Sequence, residues 1–116
     1  MKRKKEIPLY LASYKLLIFI IETEKNIPKS IKYSVGQSIK EEAVDLVKNI
    51  ARANAVSDSS ERHKWIEMAE SNIDTIIILQ RVMFELKSIS LKKYSEASEI
   101  IEGISRQLSG WKKTVA

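Results

Sequence analysis

The stretch Ile27–Ala55, IPKSIKYSVGQSIKEEAVDLVKNIARANA, decides the fold class. After a break marked by Pro28, the residues Ile39, Ala43, Leu46, Ile50 and Ala53 recur at alternating steps of four and three, the spacing that gathers side chains on one side of an α-helix. The opposite side carries Lys40, Glu41, Asp45, Lys48 and Arg52. A helix with one apolar and one charged side is stable only when other elements cover the apolar side, so the rest of the chain has to supply partners.

Downstream, Ser57-Asp58-Ser59-Ser60 reads as a turn that ends this helix near Ala55. Asp58 followed three residues later by Glu61 has the spacing of a capping box, which predicts a third helix starting at Ser59. Trp65, Ala69, Asn72, Ile76, Leu79, Met83 and Leu86 then alternate steps of three and four, a seam suited to shallow packing in a bundle. Asn72 is the polar exception on that seam, and either fixes the register or makes an internal polar contact. Ile73, Ile77 and Ile78 widen the apolar surface beyond it. Lys87-Ser88-Ile89-Ser90 breaks the pattern, and Ser90 can cap a fourth helix from Leu91, with Tyr94, Ala97, Ile101, Ile104, Leu108 and Trp111 on its buried side.

Upstream, Pro8 suits the first turn of a helix that extends to about Lys25. Tyr10, Tyr14, Leu17 and Ile21 follow a heptad seam, while Leu9, Leu11, Leu16, Ile18, Phe19 and Ile20 spread apolar groups around nearly the whole circumference. Such a helix is covered on more than one side, either deep within its own domain or by another subunit. The basic Met1–Lys5 and apolar Leu9–Ile21 imitate a secretory signal, but Glu6 and Lys15 interrupt it and no small-residue cleavage pattern precedes Glu22-Thr23-Glu24. The apolar run is also shorter than the roughly 20 residues of a membrane span, so it reads as a core helix and no membrane partner is expected.

These readings make residues 1–116 one all-α domain, an antiparallel up-down-up-down four-helix bundle, with residues 1–6 as a basic flexible arm. Three glycines and two prolines leave little material for the turns of an all-β fold. No cysteine is present, which excludes disulfides, thiolate nucleophiles and Cys-based zinc sites and fits a reducing cytoplasm. The single histidine, His63, has Ser60 three residues before it, so the Glu-x-x-His pair of a bundle metal site is missing. Gly36, Gly103 and Gly110 are isolated and form no phosphate-cradling loop. Glu41/Glu42 and Glu96/Glu99 lie among lysines like solvated helix faces. No catalytic, cofactor or metal site is expected, and binding is the activity that remains.

The net charge of +5 is mostly local, because Lys2, Arg3, Lys4 and Lys5 supply four charges and leave +1 for the remainder. In an up-down-up-down bundle, however, Lys48, Arg52, Arg62, Lys64, Arg106, Lys112 and Lys113 all fall at the pole where the chain begins. Either they form a basic end in space or they are ordinary surface charge.

Three segments carry a family resemblance: Ile7-Pro8-Leu9-Tyr10; Ile27-Pro28-Lys29-Ser30 with Val35-Gly36-Gln37-Ser38-Ile39 opening the second helix; and Ile89-Ser90-Leu91-Lys92-Lys93-Tyr94 through Arg106-Gln107-Leu108-Ser109-Gly110-Trp111-Lys112. Their order resembles the accessory variability determinant (Avd) of diversity-generating retroelements, itself related to four-helix-bundle proteins encoded in intervening sequences of bacterial 23S rRNA genes. Asn49-Ile50-Ala51 is shared with the intervening-sequence relatives, but Arg52-Ala53 stands where they tend to carry Glu-Gly, and Ser105 replaces a common glycine. The switch to Arg pulls the resemblance toward the retroelement branch. That branch implies a ring-like homopentamer that binds the retroelement's reverse transcriptase and its template RNA during mutagenic complementary-DNA synthesis. The expected RNA or polymerase contacts are then Lys48, Arg52, Arg62, Lys64, Arg106, Lys112 and Lys113, assisted by Lys2–Lys5. The alternative is an intervening-sequence-type bundle serving as a structural or protein-interaction module without RNA binding.

Overall fold

Four long helices account for most of the chain in a computed structural model that describes residues 7–115. They are α1 (Pro8–Glu24), α2 (Gln37–Ala55), α3 (Ser59–Glu85) and α4 (Leu91–Thr114), and no strand occurs among the described residues. The basic arm at residues 1–6 lies outside the described residues. Local chemistry sets the helix starts. Pro8 occupies the first turn of α1, where its missing N–H costs nothing. The Asp58 carboxylate accepts from the Glu61 amide at 2.9 Å, and the Ser90 hydroxyl accepts from the Lys93 amide at 3.1 Å, so both caps satisfy a first-turn donor.

The stripe on α2 is buried as the periodicity requires, with Ile39, Ala43, Leu46, Ile50 and Ala53 all in the core. On α4, Ala97, Ile101, Ile104 and Leu108 are buried, while Tyr94 and Trp111 at its two ends are only half-buried. The seams of the other two helices differ from expectation. In α1 the core positions are Leu9, Ser13, Leu16 and Ile20, one residue before the heptad seam, and Tyr14 on that seam is exposed. Ser13 fits the core because its hydroxyl donates to the Tyr10 carbonyl at 2.8 Å. In α3 the core is Ile66, Ala69, Ile73, Ile76, Gln80 and Met83; Trp65, Asn72 and Leu79 are half-buried, and Leu86 is 55% exposed. Both helices are apolar on more than one side, so several registers fit the periodicity and packing selects among them.

The entry to α2 is helical from just after Pro28: Lys29–Ile31 leads through a π turn, Lys32–Gly36, into α2. Gly36 keeps ordinary right-handed helical angles, φ −59° and ψ −43°. Its lack of a side chain serves close approach, since a Cβ there would lie 2.9 Å from Ile27 Cδ1 and 3.2 Å from the Ile31 carbonyl oxygen.

Around the core, α1 packs on α2, α2 on α3, α3 on α4 and α4 back on α1, with α2 and α3 sharing the most extensive contact. The helix ends meet in two groups. Leu9, Asn54, Arg62 and Trp111, one from each helix, line an open cleft at the first end. Phe19, Ile39, Met83 and Ala97, again one from each, line a small cavity at the second end. At that second end α3 stops in a Schellman arrangement: the Ser88 amide donates to the Met83 carbonyl and the Lys87 amide to the Phe84 carbonyl, both at 2.9 Å. Lys87 takes the left-handed conformation, φ 59°, at the position where glycine is usual. A side chain costs about 1 kcal/mol or more there.

Candidate functional site

The α2–α3 interface carries a polar chain that begins inside the bundle and ends on its surface. Asn49 is 4% exposed and donates from Nδ2 to Asn72 Oδ1 at 2.8 Å. Asn72 in turn donates from Nδ2 to Glu42 Oε1 at 3.0 Å. At the other end, Arg52 Nη1 donates to Asn49 Oδ1 over a long 3.4 Å. Asn72 therefore makes the internal polar contact that was one of its two readings, and by pairing across helices it also ties one relative position of α2 and α3 to full hydrogen bonding. A buried amide left unpaired would cost about 1–3 kcal/mol.

Arg52 is held from a second direction, its guanidinium carbon sitting 5.0 Å from the centroid of the Trp65 ring. Lys64 Nζ sits 5.2 Å from the same ring. The indole thus gathers two cations from different helices, each attracted to the negative face of its π-system. Neither cation has a carboxylate partner among the described residues, so their charge is available to an outside anion. Lys48, one turn before Arg52 on α2, is exposed and likewise makes no ion pair among the described residues.

The other expected contacts are occupied differently. Arg62 faces back into the corner between α2 and α3: Nε donates to the Ala53 carbonyl at 2.9 Å and a terminal nitrogen donates to the Val56 carbonyl. It satisfies carbonyls that the end of α2 leaves open. Lys112 bonds Glu70 at 2.9 Å and lies 3.8 Å from Glu67, and the Glu70 carboxylate holds its ammonium above the usual lysine range. Arg106 and Glu102, both exposed, are paired at 3.8 Å, a contact worth little in water. Lys113 is exposed and makes no ion pair among the described residues. Geometry thus brings Arg52 and Lys64 together, places Lys48 beside Arg52, and binds Arg62 and Lys112 into local structure.

Trp65 and Asn49 are the members that sequence reasoning missed. Trp65 was expected only as a seam residue, and the available signal was an aromatic side chain next to Lys64 and near the start of a helix. The described residues contain no group of three His, Cys, Asp or Glu that could hold a metal ion. His63 Nδ1 lies 3.6 Å from Glu67, one helical turn away. No helix among the described residues is long and apolar enough to cross a membrane.

No curated protein matches this chain. A family model described as bAvd-like does, aligning from Leu9, the first buried residue of α1, to Val115, just past the end of α4. The match, residues 9–115, covers all four helices and both clusters of helix ends, and the chain belongs to the bAvd-like family.

Proposed function

We propose that this protein is a non-enzymatic accessory factor of a diversity-generating retroelement, acting in the cytoplasm, which binds the reverse transcriptase and its template RNA to support mutagenic complementary-DNA synthesis. The bAvd-like match over residues 9–115 is the observation that carries this reading. The RNA-binding surface centres on Arg52 and Lys64 over Trp65, with Lys48 alongside. Arg106 and Lys113 extend it, and Arg62 and Lys112 support it from within the fold. Phosphate affinity grows with the number of cations brought to bear, and a net charge of +1 outside Lys2–Lys5 is small for one subunit.

Repetition in a ring supplies the missing multiplicity, and we read the assembly as a homopentamer of antiparallel up-down-up-down bundles. Meeting of all four helices at each end supports the antiparallel order. Two apolar faces support the ring. Leu11, Tyr14 and Ile18 are exposed on α1, and Ile77, Ile78 and Val82 are exposed on α3. These helices are not neighbours around the core, so the faces lie on different sides of the subunit. A single two-fold contact covers one patch with its own copy, whereas a head-to-tail contact joins two different patches and closes as a ring when the rotation between successive subunits is a whole fraction of a turn.

A salt-titrated pull-down of template RNA and reverse transcriptase tests the surface. Arg52→Glu/Lys64→Glu is expected to lose RNA at lower salt than the unsubstituted protein, with the fold unchanged by circular dichroism. Equal retention of both partners would remove the site assignment and favour a structural bundle without RNA binding. A monomer by light scattering would remove the ring.

A further inference from the structure

We propose that Glu42 positions Arg52 from a distance: its carboxylate sets the direction in which the amides of Asn72 and Asn49 point, and so aims a carbonyl oxygen at the guanidinium held beside Trp65. The proposal rests on the reading of Arg52 and Lys64 as the anion-binding pair and names what holds one of them in place. Glu42 is half-buried on α2, ten residues before Arg52, which is about 15 Å along the axis at 1.5 Å per residue. At that separation the two charges are largely screened from each other in physiological salt. What joins them is a chain of three hydrogen bonds.

Donor and acceptor inventory fixes the direction of that chain. A carboxylate only accepts and a guanidinium only donates, whereas each asparagine amide has an accepting and a donating end. Between Glu42 and Arg52, one arrangement of the two amides makes every bond: Arg52 Nη1 to Asn49 Oδ1 at 3.4 Å, Asn49 Nδ2 to Asn72 Oδ1 at 2.8 Å, and Asn72 Nδ2 to Glu42 Oε1 at 3.0 Å. Reversing both amides keeps the central bond but sets oxygen against oxygen at Glu42 and N–H against N–H at Arg52. Reversing either one alone sets like against like at the centre. The bonds therefore run one way, and each polarises the next.

Both ends suit this role. Glu42 makes no ion pair among the described residues, so its carboxylate serves Asn72 and not a neighbouring cation. At the other end the contact is long, and the sign of what faces the cation decides its effect. A carbonyl oxygen helps to hold the guanidinium 5.0 Å from the Trp65 ring, and an amide N–H in its place repels it. A carboxylate directly on Arg52 would hold it too, but would cancel its charge. Acting through two neutral amides, Glu42 orients the cation and leaves it free for an outside anion.

The test makes Trp65 the single tryptophan of the full chain in a Trp111→Phe background. Quenching of its fluorescence by iodide, an anion that collects near cations, is compared with quenching by neutral acrylamide. Glu42→Lys puts a donor where the acceptor stood. It is expected to lower the iodide-to-acrylamide ratio about 2-fold, the scale of one unit charge a few ångströms from the anion in water, although the added charge by itself would raise it. Glu42→Gln keeps an acceptor and is expected to hold the unsubstituted ratio. Glu42→Lys/Asn49→Asp is expected to restore it: the introduced ammonium donates to Asn72 Oδ1, and Asn72 Nδ2 and Arg52 both donate to the introduced carboxylate. A merely structural Glu42 gives no reason for that rescue. Template RNA pulled down across a salt series is expected to follow the same order of variants. An unchanged ratio in Glu42→Lys overturns the proposal, as does a ratio in Glu42→Gln that falls as far as in Glu42→Lys. So does failed rescue in a double variant whose circular dichroism is native; if that variant loses its helicity, the Glu42→Gln ratio decides alone. A ratio that falls in Glu42→Lys and recovers in Glu42→Gln, with RNA retention unchanged, upholds the positioning and removes Arg52 from the RNA surface.

Discussion

Neighbouring helices α1 and α2 are similar in length, 17 and 19 residues, yet they relate to their sequences in opposite ways. On α2 one stripe, Ile39, Ala43, Leu46, Ile50 and Ala53, is buried, and Val44, at 38%, is the one large apolar side chain of that helix left exposed. On α1 a four-residue stripe is buried while Leu11, Tyr14 and Ile18 remain 50%, 51% and 42% exposed. A helix that serves one interface announces it by periodicity. A helix that has more apolar surface than its own bundle covers does not, because any of several adjacent stripes satisfies the same spacing.

The comparison can be broken at the core of α2. Leu46→Ala or Ile50→Ala deletes a fully buried side chain and is expected to cost about 2–5 kcal/mol in urea unfolding. A loss under 1 kcal/mol would mean that the bundle does not depend on this stripe. Next comes the polar pin. Asn72→Ala strands the buried Asn49 amide and should cost about 1–3 kcal/mol by thermal melting. Restored stability in Asn49→Leu/Asn72→Leu would show that the pin serves helix register more than stability.

Changes on the outer side of α1 sharpen the contrast. Leu11→Glu/Ile18→Glu should move monomer stability by no more than about 0.5 kcal/mol per site, since both side chains are exposed. Light scattering should nevertheless register a smaller particle. A large loss of helicity in dilute solution would place that side inside the subunit's own core.

The smallest expected effect is electrostatic. The Asp58 carboxyl is held below its usual range chiefly by the Glu61 amide and then by the Ser60 hydroxyl. A depressed folded value means that its contribution is present above the unfolded value near 3.9, and is lost as pH falls through the lower folded value. Asp58→Asn keeps a capping oxygen and should flatten the melting temperature in that acid window, whereas an unchanged profile would assign the acid sensitivity elsewhere.

What could be read from the sequence follows from how far apart the interacting groups lie. The caps at Asp58 and Ser90 were legible because donor and acceptor are three residues apart. The α2 and α4 stripes were legible because each had one apolar side. The α1 seam was read one residue late; on α3, Ala69, Ile76 and Met83 were read correctly, while Trp65, Asn72 and Leu79 each stand one residue before the buried Ile66, Ile73 and Gln80, since surplus apolar residues flank both seams. Site chemistry was harder. Lys112 looked like a free cation, but Glu70, 42 positions away, neutralises it. Arg62 looked like a surface charge, but the turn folds its guanidinium onto carbonyls six and nine residues back. Arg52 was singled out, while its hold on Trp65 depends on packing that periodicity does not encode.

The Arg62 corner has a consequence for the order of events in folding. Asp58 closes the start of α3 and Arg62 closes the end of α2, so every partner in the hairpin turn lies within nine residues. Local contacts form with little loss of loop entropy, and the most extensive helix pair in the molecule grows directly out of this turn. Arg62→Ala is therefore expected to slow refolding more than it speeds unfolding, with α1 and α4 docking afterwards onto the preformed α2–α3 pair. A chevron in which only the unfolding arm moves would put the corner late. If the refolding arm moves, the short link between the second and third helices is where the chain first commits to its fold.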